Sequence, residues 1–267
     1  MAGTPQPEER EIVRLGGMAL PNGVLVHGPS SWACAIRHPD GRLEVASAKK
    51  GFRASAVGTP LLRGPARLLE ALAVLPALRR RLPGAQLPFE RPGIIVAALG
   101  CTAVVKVVRD STRLTPVAQE LLGGLLSLGP ATIALRSSEL AAYHGAEHIA
   151  IGSYEAGEPH AKEHERCGSH LIGPLLVTTA FGNIVAGKLP ERWRGPGRVV
   201  AQVGALGAST EIFAWMTRNP ERPLARALAY PGHELQHRLA TSDPTPDQLA
   251  VAEAALAACL ELERDGD

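Results

Sequence analysis

The chain has 267 residues and a net charge of +2 at pH 7, enough for one large or two small domains with a substantial core. This near balance of charge argues against a nucleic-acid or acidic partner. The four cysteines form no CxxC pair, which argues against a disulfide framework and places them in a reducing compartment. Met1 to Glu11 is polar and lacks the apolar core of a cleavable signal peptide. We predict that residues 1–14 are a disordered lead.

Residues 15–58 are predicted to form a small β-rich N-terminal element. Glycines and prolines recur between residues 15 and 29, which indicates tight turns and close approach of the backbone to its neighbours. Trp32 to Ile36 has the pattern of a strand, and Leu43 to Ala48 alternates as a return strand. His38 to Gly41 forms the turn between them, with proline second and glycine fourth.

Residues 59–241 are predicted to form a helical body. Leucines between residues 61 and 82 follow the 3.6-residue period and predict one helix. Tyr230 to Gly232 is predicted to be a turn, because proline and glycine are adjacent there. Four apolar segments lie between these points, each near the roughly 17–25 residues that cross a bilayer. They are residues 93–108, 117–135, 171–187 and 199–216.

Two interpretations of the four apolar segments remain open from hydropathy. They are transmembrane helices that pack their polar residues inward, or they are buried helices of a soluble bundle. Both interpretations must accommodate the polar residues Glu120, Asn183, Gln202 and Glu211. In the membrane interpretation, the connection 136–170 lies between the second and third spans.

Residues 242–267 are predicted to be a C-terminal amphipathic helix. Thr245 to Gln248 has the pattern of a capping box with proline at the first helical position. The buried side is predicted to carry Leu249, Ala252, Leu256 and Leu260. The fold class is therefore mainly α, a multi-helix bundle with a small β-rich N-terminal element.

The connection 136–170 contains the clearest chemical motif of the chain. His144, Glu147 and His148 form an H-x-x-E-H arrangement, which places all three side chains on one face of a helix. Imidazoles one turn apart chelate Zn²⁺ or another divalent transition metal. Glu147 is then the candidate general base. The alternative is a pair of surface histidines on a polar helix.

A second half-site follows the first within the same connection. His164 and Cys167 have H-x-x-C spacing and are the preferred additional ligands, with nitrogen and sulfur donors that suit zinc. Three protein ligands would leave one zinc position open for catalysis, whereas Cys167 as a fourth would close a structural site. The neighbouring polar residues have weaker assignments. These are His160 as a spare, His170 as a hydrogen-bonded core residue, and Glu155 and Glu158 as acceptors that orient a ligand histidine.

A rival motif stands near the C-terminus. His233, Glu234 and His237 match H-E-x-x-H, the motif of many zinc proteases. It begins directly after Pro231 and Gly232, so its helix would be short, and no third histidine follows. We regard these two histidines as surface residues, with a soluble zincin-like protease as the weaker alternative.

Several blocks of the sequence resemble the YqhQ-like family of uncharacterised bacterial proteins, which are labelled predicted metal-dependent enzymes. The most specific block runs from Tyr143 to Gly168, and supporting blocks cover Gly16 to Pro29, Leu62 to Gly64 and Pro231 to Ala252. The resemblance implies a membrane-associated protein with several transmembrane helices at the apolar segments. It also favours the 144–167 site, because the family pattern is apolar where His233 and Glu234 stand.

Three positions depart from the family pattern. The family usually has Glu at the position of Asn22, Arg at that of His27 and Pro at that of Glu165. If the usual Glu and Arg serve a reaction, this chain has a changed substrate or no activity.

Two functions follow as hypotheses. The first is a metal-dependent hydrolase in the cell membrane, with membrane lipid as a partner and a site that faces the cytoplasm. The second is a non-catalytic membrane scaffold or accessory protein with a structural metal. A cytoplasmic location is the alternative to the membrane.

Overall fold

The computed structural model describes residues 12–265. The N-terminal part of the predicted disordered lead, residues 1–11, lies outside the described residues. The chain then forms an antiparallel sheet in which neighbouring strands follow one another in sequence. Its strands are β1 Gly16–Leu20, β2 Gly23–His27, β3 Ser31–Arg37 and β4 Leu43–Lys49. The predicted β-rich N-terminal element is confirmed.

Helices make up most of the remaining described chain, which confirms the mainly α prediction. A short 3-10 helix at Gly168–Leu171 leads into the seventh helix, and a π-helical turn at Gln236–Ala240 follows the ninth. The α-helices are α1 Arg63–Ala73, α2 Leu75–Arg81, α3 Pro92–Arg109, α4 Pro116–Ser127, α5 Gly129–Leu135, α6 Ser138–Ala156, α7 Ile172–Gly187, α8 Glu191–Arg218, α9 Pro223–Leu235 and α10 Pro246–Arg264.

Helices cover both faces of the sheet. Alternate side chains of a strand point to opposite faces, so each strand supplies two different cores. One face packs Val24, Val26, Ala33 and Ala35 against α6 and α10. The other face, which includes Trp32, packs against α2 and the residues that follow it. The sheet therefore gives α6 a rigid surface on which to hold its polar motif.

Two local predictions in the helical body are wrong. The predicted single helix over residues 61–82 is two helices, α1 and α2, that meet at Val74. Pro76 has no N–H to donate to the carbonyl four residues earlier, so the first helix cannot continue unbroken. The predicted turn at Tyr230 to Gly232 lies inside α9. Gly232 packs directly on the Ser169 backbone, where a side chain would clash, so close packing rather than a turn accounts for this glycine.

The four apolar segments are helices long and apolar enough to cross a membrane. They comprise α3, the pair α4–α5, residues 168–187 and α8. In each of the first two, only 6% of the most apolar window is buried within the protein. Val96 and Val107 are 69% and 70% exposed, and Phe181 is 70% exposed. Exposed apolar side chains on helices of this length allow association with a membrane.

Three of the four polar residues noted in the apolar segments, Glu120, Asn183 and Gln202, are joined by hydrogen bonds, whereas Glu211 pairs with Arg63 of α1. The Arg109 guanidinium donates to Glu120 at 3.0 Å, and the Asn183 amide donates to the same carboxylate oxygen at 2.7 Å. Gln202 in turn donates to the Asn183 carbonyl oxygen at 3.0 Å. This chain of bonds joins α3, α4, α7 and α8, as expected of polar residues inside a membrane bundle.

The C-terminal helix α10 begins with the predicted capping box. The Thr245 hydroxyl accepts from the Gln248 N–H at 3.3 Å, and the Gln248 side chain accepts from the Thr245 N–H at 2.9 Å. Ala252 is buried as predicted, together with Val251. Leu256 is only partly buried at the edge of the core.

Glu263 near the end of α10 fastens this helix to the β2–β3 turn. Its carboxylate accepts hydrogen bonds from the N–H groups of Ser30 at 2.9 Å and Ser31 at 2.6 Å, and also from both hydroxyls. Burial by itself would raise the pKa of Glu263, but these hydrogen bonds outweigh burial and lower the pKa. The ionised carboxylate is therefore part of the folded structure.

Candidate metal centre

The predicted helix face of the H-x-x-E-H motif lines a cavity of about 540 Å³. His144, Glu147 and His148 lie on α6 and all face this cavity. The remaining walls come from residues 15–19, His27, Pro88, the end of α5 and the segment 164–168. Because α5 belongs to an apolar span, the cavity lies where the sheet layer meets the bundle.

His144, His148 and Cys167 form a group that could hold a metal ion. One ligand atom from each lies within 4.8 Å of the other two. The Cys167 Sγ is 3.6 Å from the His144 Nε2, and the two imidazole centroids are 4.3 Å apart. No other such group of three was found among residues 12–265. The two predicted half-sites therefore come together, and Cys167 is the residue of the second half-site that joins the two histidines of the first.

Backbone carbonyls fix the tautomer of both histidines. The His144 Nδ1 is 2.8 Å from the Ala240 carbonyl, and the His148 Nδ1 is 2.6 Å from the Lys162 carbonyl. A carbonyl can only accept, so each Nδ1 carries the proton and donates it. Each Nε2 then carries the lone pair, which in His144 faces the Cys167 thiol. This is the usual arrangement of a metal-binding histidine.

Burial favours the neutral forms of His148 and Cys167 in the absence of a cation. His148 is 3% exposed, and burial, with a further contribution from His144, lowers its pKa to about 3. Burial also raises the pKa of the Cys167 thiol, although hydrogen bonds with Ser169 oppose the change. A neutral imidazole is ready to bind a metal, whereas the thiol must first lose its proton to the solvent. Metal binding at this group should therefore strengthen as the pH rises.

His164, the other predicted ligand, lies beside the group and is not part of it. Its ring centroid is 5.6 Å from that of His148. Its Nδ1 accepts from the Arg166 N–H at 3.2 Å, and its Nε2 is 3.7 Å from a Glu155 carboxylate oxygen. Glu155 also forms an ion pair with Arg166. Glu155 thus lies beside a histidine outside the group, so its role as an acceptor that orients a ligand histidine stays a prediction. Glu158 is exposed.

Glu147 is a buried carboxyl group at the wall of the cavity. It is 7% exposed, and its side chain packs against Gly17 of β1, where any added side chain would clash with it. Burial raises the pKa of Glu147 to about 7; nearby His144 opposes this shift and Cys167 adds to it. A carboxyl group with such a pKa can accept and release a proton near neutral pH.

Gln236 is a site residue that the sequence reasoning missed. It is completely buried, and its side-chain oxygen accepts from the His164 N–H at 3.0 Å. Its amide nitrogen lies 2.8 Å from the Ser169 hydroxyl, 3.2 Å from the His170 Nδ1 and 3.3 Å from the His164 carbonyl. Gln236 therefore holds both ends of the segment that carries Cys167. A buried polar side chain in a π-helical turn leaves no periodic signal in the sequence.

The remaining histidines of the sequence analysis lie apart from the group formed by His144, His148 and Cys167. His170 is buried and hydrogen-bonded to Gln236, as predicted for a core residue. In the rival motif, His233 and His237 are exposed and their rings stack with centroids 6.3 Å apart. Glu234 forms an ion pair with Arg238 one turn away. The surface assignment of these two histidines is confirmed.

The departures from the family pattern lie in different surroundings. Asn22 donates to the Gly84 carbonyl at 3.0 Å and accepts from the Gln86 N–H at 3.0 Å, so it fastens the loop after α2. A second cavity of about 1810 Å³ adjoins this one, and Asn22 lines neither of them. His27, by contrast, lines both, and its Nδ1 is 3.2 Å from the Lys50 ammonium nitrogen. Burial, and then Lys50, lower the pKa of His27 to about 4.

Comparisons with known proteins agree with the resemblance. Residues 136–262 match a family model described as a protein of unknown function (DUF1385). The chain is 25% identical over 300 residues to the uncharacterized protein YqhQ of Bacillus subtilis (strain 168), an alignment that covers 93% of this chain and 92% of that protein. No solved structure matches the chain. The resemblance to the YqhQ-like family is confirmed. The region that matches the family model, residues 136–262, contains His144, His148 and Cys167.

Proposed function

We propose that this YqhQ-like protein is a metal-dependent hydrolase of the cell membrane. The metal, Zn²⁺ or another divalent transition metal, would be held by His144, His148 and Cys167. The observation that carries the proposal is the convergence of two Nε2 lone pairs and one thiol, with both Nδ1 protons committed to carbonyls. Nitrogen and sulfur donors of this kind suit zinc.

The donor count favours a catalytic over a structural metal. Three protein donors leave one position of a tetrahedral zinc open, and the cavity of about 540 Å³ gives that position room. His164 is engaged by Arg166 and Glu155 instead. A zinc ion at such a position supplies a Lewis acid that polarises a carbonyl or phosphoryl oxygen.

Glu147 would supply the acid–base chemistry of the reaction. Its carboxyl group lies in the same cavity as the three donors. It is buried, so it keeps a proton at a pH where an exposed glutamate is ionised. Positioned general acid–base groups typically accelerate reactions about 10²–10⁴-fold.

The membrane location is supported by the four apolar helices and by their internal polar bonds. An even number of spans returns the chain to one side of the membrane, so the sheet, α6 and α10 lie together there. The described cysteines are all free thiols, which agrees with a cytoplasmic side for the site. In a fractionation experiment with carbonate washing, the protein should stay in the membrane pellet; release into the wash would contradict this location.

The site assignment is tested by metal analysis of the purified full-length protein. Wild type should hold about one zinc per chain, and His148→Ala and Cys167→Ser should lose it. His164→Ala and the matched surface variant His237→Ala should retain it. Loss in His237→Ala alone, or full retention in the first two variants, would refute the assignment. Thermal unfolding of each variant in detergent separates loss of metal from loss of fold.

The second candidate function is a scaffold with a structural metal. It is favoured by the two carbonyl bonds, since the histidines already tie α6 to the distant Lys162 and Ala240. Glu147→Gln separates the two functions in assays with phosphoester and carboxylic ester substrates. In the hydrolase, it retains zinc and loses about 10²-fold or more of the activity. A zinc-loaded wild type that hydrolyses none of these esters would favour the scaffold.

A further inference from the structure

A second and larger cavity adjoins the candidate metal centre. Its volume is about 1810 Å³, and its walls come from α1, the end of α8, α9 and residues 160–171. Ligand pockets are usually about 300–1,000 Å³, so this one can take a larger molecule. Several residues line both cavities, which makes the two spaces neighbours across a shared wall. The shared residues are Leu15, Gly16, His27, His164, Arg166 and Gly168.

The walls of the large cavity carry an excess of positive charge. Seven arginine and lysine side chains and five glutamates line it. Three of the glutamates form ion pairs with a lysine or arginine that also lines the cavity. The pairs are Lys50–Glu70, Arg63–Glu211 and Arg166–Glu155. Arg14, Arg67 and Arg218 line the cavity, and none of them forms an ion pair with a carboxylate of residues 12–265. The Arg218 Nε donates to the Ala214 carbonyl at 2.9 Å. Guanidinium groups without a carboxylate partner at a cavity wall favour a phosphate or carboxylate ligand.

The same cavity also has an apolar wall. Leu68 of α1, together with Leu206 and Phe213 of α8, lies on that wall. Because α8 is one of the apolar spans, its wall leads from the cavity toward the hydrocarbon region. A ligand that satisfies both walls has an anionic head and an apolar tail.

Helix α1 has the features of a helix that lies at the membrane surface. It combines arginines on one side with leucines on the other, a pattern typical of interfacial helices. The exposed leucines at or just before this helix are Leu61, Leu62, Leu68, Leu69 and Leu72. Their exposure is explained if they enter the outer part of the bilayer.

Close packing holds α1 against the end of α8. Arg63 forms an ion pair with Glu211, and Gly64 packs directly on Thr210. Gly207 packs on the carbonyl of Leu61, whose φ of 68° lies in the left-handed region that side chains rarely adopt. These contacts keep the amphipathic helix beside the cavity.

We propose that the large cavity binds the anionic headgroup of a membrane phospholipid, which makes a phosphate-bearing lipid the substrate class of the adjoining site. Arg14, Arg67 and Arg218 would contact the phosphate, and the wall of α1 and α8 would contact the acyl chains. The substrate assignment rests on the proposed function, whereas lipid binding by the cavity does not require the metal.

The test measures lipid binding to the full-length protein in neutral detergent by native mass spectrometry. The probes are phosphatidylglycerol, phosphatidylcholine and the soluble headgroup analogue glycerol 3-phosphate. The cavity variant is Arg67→Gln with Arg218→Gln, and the matched control is Arg113→Gln with Arg192→Gln, whose exposed arginines line neither cavity. Wild type should prefer phosphatidylglycerol, and only the cavity variant should weaken this binding, by about tenfold or more. Replacement by Lys at both cavity positions should restore part of it.

Three outcomes would overturn the proposal. They are equal weakening in the cavity and control variants, no preference for phosphatidylglycerol, and glycerol 3-phosphate binding as tightly as the lipid, which would indicate a small soluble anion. Zinc content is measured on the same samples, and His148→Ala serves as the metal-free comparison. Lipid binding by His148→Ala would support a lipid site in the cavity that does not depend on the metal. If His148→Ala binds no lipid while wild type is loaded with zinc, the proposed independence of lipid binding from the metal is contradicted.

Discussion

Replacing Gln236 by Leu tests whether the proposed metal centre depends on a residue outside the group of three donors. Gln236 is fully buried, and leucine has a similar volume without the amide. The change removes the hydrogen bond that the side-chain oxygen accepts from the His164 N–H. It also removes the contacts of the amide nitrogen with His164, Ser169 and His170. The segment that carries Cys167 then loses its attachment to the turn after α9.

The magnitude follows from the number of groups left without partners. A buried polar group that loses its partner costs about 1–3 kcal/mol, and the His164 N–H and Ser169 hydroxyl are the groups most directly affected. The apolar leucine side chain offsets part of this loss. We expect a decrease of about 2–4 kcal/mol in the free energy of unfolding. Loss of a residue that orients metal ligands typically lowers metal affinity by about 10–100-fold.

The assay is zinc affinity by competition with a chromophoric chelator, together with the thermal midpoint in detergent. Gln86→Leu is the control, because Gln86 is exposed and lines neither cavity. Zinc affinity of Gln236→Leu within twofold of wild type would refute the reasoning, whatever the change in stability. Equal effects of Gln86→Leu would point to a general effect of added apolar surface.

Two further changes test how the sheet layer supports the site. Glu263→Gln should destabilise the protein above pH 4.5, because the folded protein holds Glu263 ionised with a pKa below its usual 4.5. The control is Glu261→Gln, at an exposed neighbouring position. The difference in thermal midpoint between Glu263→Gln and wild type should shrink as the pH falls through that lowered pKa, and a constant difference from pH 7 to 3 would contradict this. Gly17→Ala should force β1 away from the Glu147 carboxylate and lower the free energy of unfolding by about 1–3 kcal/mol. Gly58→Ala, which meets open space, is its control, and equal thermal midpoints of the two alanine variants would show that the close approach is not limiting.

Spacing in the sequence was sufficient to predict the helical half of the site. His144, Glu147 and His148 lie within little more than one helical turn, so their common face follows from helix geometry. The capping box at Thr245 and the strand around Trp32 are equally local and were also predictable. The lengths of the apolar segments likewise predicted helices able to span a membrane.

The rest of the site depends on contacts between distant residues, which spacing does not encode. His164 and Cys167 follow His148 by 16 and 19 residues, and this spacing does not say which of them approaches the helical motif. In the structure His164 lies beside Glu155 and Arg166, and Cys167 lies beside His144. Which of the two approaches the helical motif bears on the open question of ligand number, and it depends on side chains from two different segments. The backbone partners of the histidines are still less predictable, since a carbonyl is present at every residue.

The backbone partners of the two histidines also support the proposed metal site. His148 donates to the carbonyl of Lys162, and His144 donates to that of Ala240, 96 residues away. Gly145, between them on α6, packs on the Ser242 carbonyl, where a side chain would clash. The chain after α9 can therefore approach α6 closely enough to orient His144 only because residue 145 has no side chain. A pair of surface histidines would need neither fixed tautomers nor a close approach of the chain after α9 to α6. The local packing therefore favours a site that binds a ligand through both Nε2 atoms.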